Sequence, residues 1–77
     1  MRVVSISEMA VGDEGIVRAI TAKGFLRQRI LELGLVIGTH IRCERFSPSG
    51  KAGVYKVRSA RLVIRRSDGE HVLAEVY

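Results

Sequence analysis

Apolar and polar residues recur along this chain with two periods, and the switch between them marks its one helix. In Gly24-Phe25-Leu26-Arg27-Gln28-Arg29-Ile30-Leu31-Glu32-Leu33-Gly34-Leu35, the residues Leu26, Ile30 and Leu33 fall at i, i+4 and i+7, the spacing of one apolar stripe on a helical surface. The pattern predicts a short α-helix over about residues 25–33 whose stripe faces a core. Gly34 stands where a helix ends, because glycine enters the left-handed C-cap conformation without a Cβ clash. Gly38-Thr39 then predicts a tight turn feeding a strand. A lone short helix in a β chain has an evident place, as a plug for an open face or end of a small barrel.

Elsewhere the period is two. Val3-Val4 predicts a short first strand. Ser5-Ile6-Ser7-Glu8 has capping-box spacing and predicts one helical turn stopped by Gly12, with Ile6 and Met9 as its buried contacts. Val11 to Gly15 predicts a turn, and Ile16 to Ile20 a β-branched strand. Thr39 to Phe46 alternates, with Ile41 and Cys43 on one face and His40, Arg42 and Glu44 on the other. Ser47-Pro48-Ser49-Gly50 is a turn signal, and Val54 to Arg58 the next strand. Ser59-Ala60 separates it from Arg61 to Arg66, but neither residue suits the positive φ of a two-residue hairpin, so a wider turn is expected. In that next strand Leu62 and Ile64 share one face, and Arg61, Val63 and Arg65 the other. After a Ser67-Asp68-Gly69-Glu70 turn, His71 to Tyr77 closes the chain with Val72, Ala74 and Val76 on one face. The expected fold is mainly β: a small, partly open barrel of about five short strands with one inserted helix, residues 1–77 forming one domain.

Seventy-seven residues make a small domain. A chain this size buries only about 60% of the surface its unfolded form exposes, so most of its larger apolar residues are needed as core. Cys43 is the only cysteine, so no internal disulfide forms, in keeping with a reducing compartment. There is no signal-peptide pattern and no run approaching about 18 apolar residues, so a soluble cytoplasmic protein is expected. The net charge of +5, from 13 Lys and Arg against 8 Asp and Glu, favours an acidic partner. Nucleic acid, an anionic membrane surface and an acidic protein face all satisfy it.

Candidate metal ligands are His40, Cys43, Glu44 and His71. His40 and Cys43 are three apart in a strand and so face opposite ways. No CxxC and no second cysteine completes a zinc set, and Cys43 fits a small core residue better. Catalysis needs several groups held in register in a cleft, which this pattern does not offer, and no glycine-rich phosphate loop with its lysine occurs. An enzyme, catalytic residues, cofactors and direct metal ligands are therefore not expected. Lys56, Arg58, Arg61, Arg65 and Arg66, with Lys51, Arg42 and Arg45, form a basic stripe suited to phosphates. Four aromatics make no single-strand stacking platform, and no helix-turn-helix is present. Protein interaction is the remaining class. Leu31 lies about 100° around the helix from Ile30, off the core stripe and one turn after Arg27. If exposed, the pair has the apolar-plus-arginine character of an interface hot spot. Arg27, Leu31, Arg61 and Arg65 are the candidate interaction residues.

The run from Arg27 to Thr39 resembles the "RRLLELGL-x-x-G-T" segment of the ferrous iron transport protein A (FeoA) family. Ile6-Ser7-Glu8-Met9 with Gly12 and Gly15 resembles the family's opening. Ser47-Pro48-Ser49-Gly50 takes the place of its turn, and Arg61-Leu62-Val63-Ile64-Arg65-Arg66 is similar to its "RLALRR" strand. The likeness covers essentially the whole chain. It departs at Val11, where proline often precedes glycine, and at Ser59, where a hairpin glycine is usual. A similar SH3-like module ends iron-dependent transcriptional regulators, but a start at Met1 without DNA-binding helices makes a free-standing protein the expectation. The resemblance implies an SH3-like barrel with an inserted helix. It also implies a cytoplasmic accessory role in ferrous iron uptake, as an interaction module on the membrane GTPase and permease FeoB, peripheral at the inner face of the membrane. The link to Fe²⁺ is then indirect, since neither iron movement nor nucleotide hydrolysis by the chain itself is implied. The alternative is a basic SH3-like nucleic-acid-binding or iron-regulator-type domain. Exposed barrel edges leave room for weak self-association.

Overall fold

The computed structural model describes residues 2–77. Its strands are β1 Arg2–Ser5, β2 Glu14–Ile20, β3 His40–Phe46, β4 Ala52–Val57, β5 Ala60–Arg65 and β6 Val72–Val76. They form one antiparallel, partly open sheet in the order β1-β6-β2-β3-β4-β5. Helix α1 (Gly24–Glu32) is inserted between β2 and β3, and a one-turn helix α2 (Arg66–Gly69) between β5 and β6. The fold is mainly β with a short helix, as expected; Val3-Val4 does form a strand, against β6, so the sheet has six strands rather than about five.

Alternation builds the core. Val17, Ile41, Cys43, Tyr55, Val57, Ile64, Val72, Ala74 and Val76 are buried on one face of the curled sheet, while the residues between them turn outward. Ile6 and Met9 close one end of it, as their spacing predicts. Tyr55 donates its hydroxyl to the Ile6 carbonyl at 2.8 Å, and Ser7 Oγ donates to the Arg66 carbonyl at 2.7 Å. The first bond ties the segment after β1 to β4, and the second draws the segments after the two edge strands, β1 and β5, toward each other. Gly69 permits the approach, because a Cβ there would collide with Ser7 Oγ.

The helix ends as its glycine predicts. Gly34, at φ 95°, donates to the Leu31 carbonyl at 2.9 Å, and Leu35 donates to the Ile30 carbonyl at 3.3 Å. This is the paired bonding of a Schellman motif. It also corrects the predicted stripe. Ile30 is buried and Leu26 half-buried, but Leu33 is 41% exposed. Leu33 is the C-cap, the last residue before the chain reverses; the apolar contact passes to Leu35, which is fully buried in the same cluster as Ile30.

Local turn chemistry differs in further places. Ser5 makes no cap bond; it is extended (φ −68°, ψ 150°) and stays in β1, paired with Leu73. The sheet pairing outweighs a capping bond worth about 1 kcal/mol. The turn that follows is 3₁₀, over Ile6–Glu8, and it ends at Met9, which returns to extended backbone before Gly12 is reached. β2 starts at Glu14, not Ile16, because Glu14 pairs with Arg42 of β3. The β4–β5 hairpin is a two-residue turn after all, Arg58-Ser59, with Val57 opposite Ala60. Arg58 takes the left-handed conformation (φ 58°), at a cost of about 1–2 kcal/mol for a non-glycine residue; the in-register pairing on both sides holds it there. Ser67 to Gly69, expected as a turn, completes the single helical turn of α2.

Candidate functional site

The outward positions of β3, β4 and β5 make one surface. Cross-strand register sets Arg42, Lys56 and Arg61 side by side on three neighbouring strands. The next row is Arg45, Val54 and Val63, and Arg65 lies opposite Ala52. Like charges directly opposite one another are destabilising in a sheet. Of these Lys and Arg side chains, only Arg61 has an acidic partner among the described residues, donating to Glu44 at 2.6 Å. Glu44 is the extra residue of a bulge between Cys43 and Arg45, which turns its carboxylate toward β5. Arg42, Glu44, Arg45, Val54 and Arg61 line a groove of about 460 Å³ with Val11 and Gly12. No Phe, Tyr or Trp occupies an outward position of these strands; Tyr77 lies at the margin, its ring 5.8 Å from that of His40.

Helix α1 makes the second surface. Arg27 lies exposed along the helix and donates to the Ile20 carbonyl at 3.0 Å, so its guanidinium is partly engaged. Leu31 is half-buried, so only part of its side chain is free. Arg29 donates to Asp68 at 2.9 Å and ties α1 to α2. The free apolar surface lies beside these residues: Phe25 is 93% exposed, and Ile37, in the loop after the helix, is 63% exposed. Sequence reasoning passed over both. The available signal was that Phe25 precedes the core stripe by one residue and so cannot share its direction. Arg27 and Leu31 thus sit on α1, while Arg61 and Arg65 sit on β5, and no hydrogen bond or ion pair joins the two sets among the described residues.

The candidate ligands stand apart. His40 is exposed and 3.3 Å from Glu14, and His71 Nδ1 lies 3.2 Å from Thr21 Oγ1. Cys43 is buried, with its sulfur 3.9 Å from the Met9 carbonyl; burial, helped by Asp13, pushes its thiol above the ordinary 9.0. That disfavours the reactive thiolate. Among the described residues no three His, Cys, Asp or Glu side chains are placed to share a metal ion. No helix among them is long and apolar enough to cross a membrane.

Comparison with known proteins gives these surfaces a setting. The model of the FeoA domain matches residues 4–76. The chain is 28% identical over 71 residues to an Fe(2+) transport protein A/Fe(2+) transporter FeoB fusion protein of Porphyromonas gingivalis, covering 92% of this chain and only 8% of that one. A crystal structure of an iron uptake regulatory protein, FeoA, superposes over 100% of both chains with a TM-score of 0.88 and 28% identity. FeoA of Stenotrophomonas maltophilia, described as a procaryotic SH3 domain protein, is similar over 91% of this chain and 87% of its own, with a TM-score of 0.79 and 24% identity. The barrel is therefore SH3-like.

Proposed function

This chain belongs to the FeoA family, and from that premise we propose that it is a cytoplasmic accessory protein of ferrous iron uptake that works by docking onto the transporter FeoB. The family is a transport-linked one, and the role proposed here is binding, not catalysis. The observation that supports it is the fusion relative, in which a segment like this chain is joined to an Fe(2+) transporter. Covalent linkage raises the effective concentration of two parts that bind each other, so it is useful where the separate proteins associate. The chain spans 8% of that relative's length, and transport itself is assigned to the remainder.

The docking face proposed is α1 and the loop that follows it. Phe25 and Ile37 supply the exposed apolar area, Arg27 lies exposed on the same helix as Phe25, and the half-buried Leu31 adds only the part of its side chain that is accessible. Aromatic and arginine side chains are the residues on which interfaces concentrate binding energy. Arg61 and Arg65 belong to the other, basic face. Co-purification of the protein with full-length FeoB in neutral detergent tests the proposal. Phe25→Asp is expected to weaken association by roughly tenfold or more with an unchanged circular dichroism spectrum, since the side chain supports nothing in the core. Undiminished binding by the variant would move the docking face elsewhere; no association of the unmodified protein would end the proposal.

A further inference from the structure

The protein's charge is strongly polarised. Residues 40–66 carry eight Lys and Arg and one Glu, net +7, while the rest of the chain carries five Lys and Arg and seven Asp and Glu, net −2. Register places five of these cations, Arg42, Arg45, Lys56, Arg61 and Arg65, on the outer face of β3–β5, and of those five only Arg61 has an ion-pair partner among the described residues. We infer, resting on the proposed role at a membrane transporter, that this face lies against the anionic lipid headgroups of the membrane while α1 points to the protein partner.

Three features favour a bilayer over other acidic partners. Arg42 and Arg45 share an open groove with the Glu44-paired Arg61, but Lys56 and Arg65 lie outside it, so the cations cover three strands instead of converging on one buried point. The only buried, unpartnered side-chain polar atom among the described residues is Ser5 Oγ, so nothing on this face marks a fitted anion pocket. Val63, 72% exposed, sits in the middle of the cations next to Val54, and an apolar centre ringed by Lys and Arg suits the headgroup boundary. Bases would need stacking partners, and no aromatic stands among these outward positions. The like-charged row Arg42, Lys56 and Arg61 is unfavourable in the free protein and is relieved when anions cover it.

Sedimentation with vesicles of equimolar phosphatidylglycerol and phosphatidylcholine, against phosphatidylcholine alone, reads this directly. The unmodified protein is expected to sediment with the anionic vesicles only, and to be released as salt is raised through the physiological range. Lys56→Gln is expected to weaken partitioning about fivefold, whereas Lys23→Gln, the same charge change on the side of α1, shifts it by under about twofold. Both variants should still co-purify with FeoB in neutral detergent, which separates this contact from the docking one. Equal effects of the two variants, or no preference of the unmodified protein for anionic vesicles, would overturn the lipid contact. So would loss of FeoB by Lys56→Gln without vesicle binding by the unmodified protein, which would give the face to an acidic protein; salt-sensitive binding of DNA in place of vesicles would give it to nucleic acid.

Discussion

Single residues carry much of this fold because the domain is small. Tyr55 is the clearest case. Its ring lies so close over Gly53 that a Cβ there would stand 2.7 Å from it, and its hydroxyl reaches the Ile6 carbonyl. Burial raises its phenol above the ordinary 10.0, just as burial raises Cys43 above 9.0. A group whose folded pKa is raised stabilises the fold fully below its unfolded pKa and loses that contribution as pH climbs toward the folded value. Stability should therefore be flat through neutrality and fall progressively above pH 9.0, more steeply above 10.0. Denaturant unfolding along a pH series checks this. Tyr55→Phe should cost about 1 kcal/mol at neutral pH for the lost hydrogen bond and flatten the alkaline limb. A variant as steep as the unmodified protein would assign the limb to other groups.

At the scale of elements, α1 is held by few points. Ile30 and Leu35 enter the core, Leu26 lies against it, and polar ties run from Arg27 to the Ile20 carbonyl, from Arg29 to Asp68 and from Thr39 to the Gly34 carbonyl just past the helix. Exposed ion pairs such as Arg29–Asp68 contribute only about 0–1 kcal/mol, so attachment of the helix depends on Ile30. Ile30→Ala should destabilise the protein by about 2–5 kcal/mol, while Leu33→Ala, at the exposed C-cap, should cost under about 1 kcal/mol. Thermal and denaturant unfolding of the two variants settles the comparison, and equal losses would restore Leu33 to the core stripe. The same economy of contacts leaves Phe25 and Ile37 outward, where the proposed partner meets them.

At the scale of the whole molecule, the sheet gathers cations that the sequence scatters over residues 42–66. Self-repulsion of that half destabilises the folded protein. Added monovalent salt should therefore raise the unfolding free energy, by on the order of 1 kcal/mol, despite screening the exposed ion pairs, which contribute little. Unfolding measured over a salt series would show this. A decrease with salt would mean that the Arg–carboxylate pairs seen among the described residues outweigh the repulsion.

Period and punctuation in the sequence determined the helix, most strands, their buried faces and the left-handed cap at Gly34, because these depend on residues within one or two turns of each other. The family resemblance was legible there too, in the run from Arg27 to Thr39. Local rules failed where distant strands decide. Ser5 gave up its cap to pair with Leu73, Arg58 took a glycine's conformation to keep β4 and β5 in register, and Leu35 replaced Leu33 once the chain reversed. A linear pattern marks Arg27, Leu31, Arg61 and Arg65 as candidate interaction residues, and the tertiary structure alone puts them on two surfaces, α1 and the basic outer face of β5. Which side chains lie abreast depends on strand register, and register is a property of paired segments that no single stretch of sequence contains.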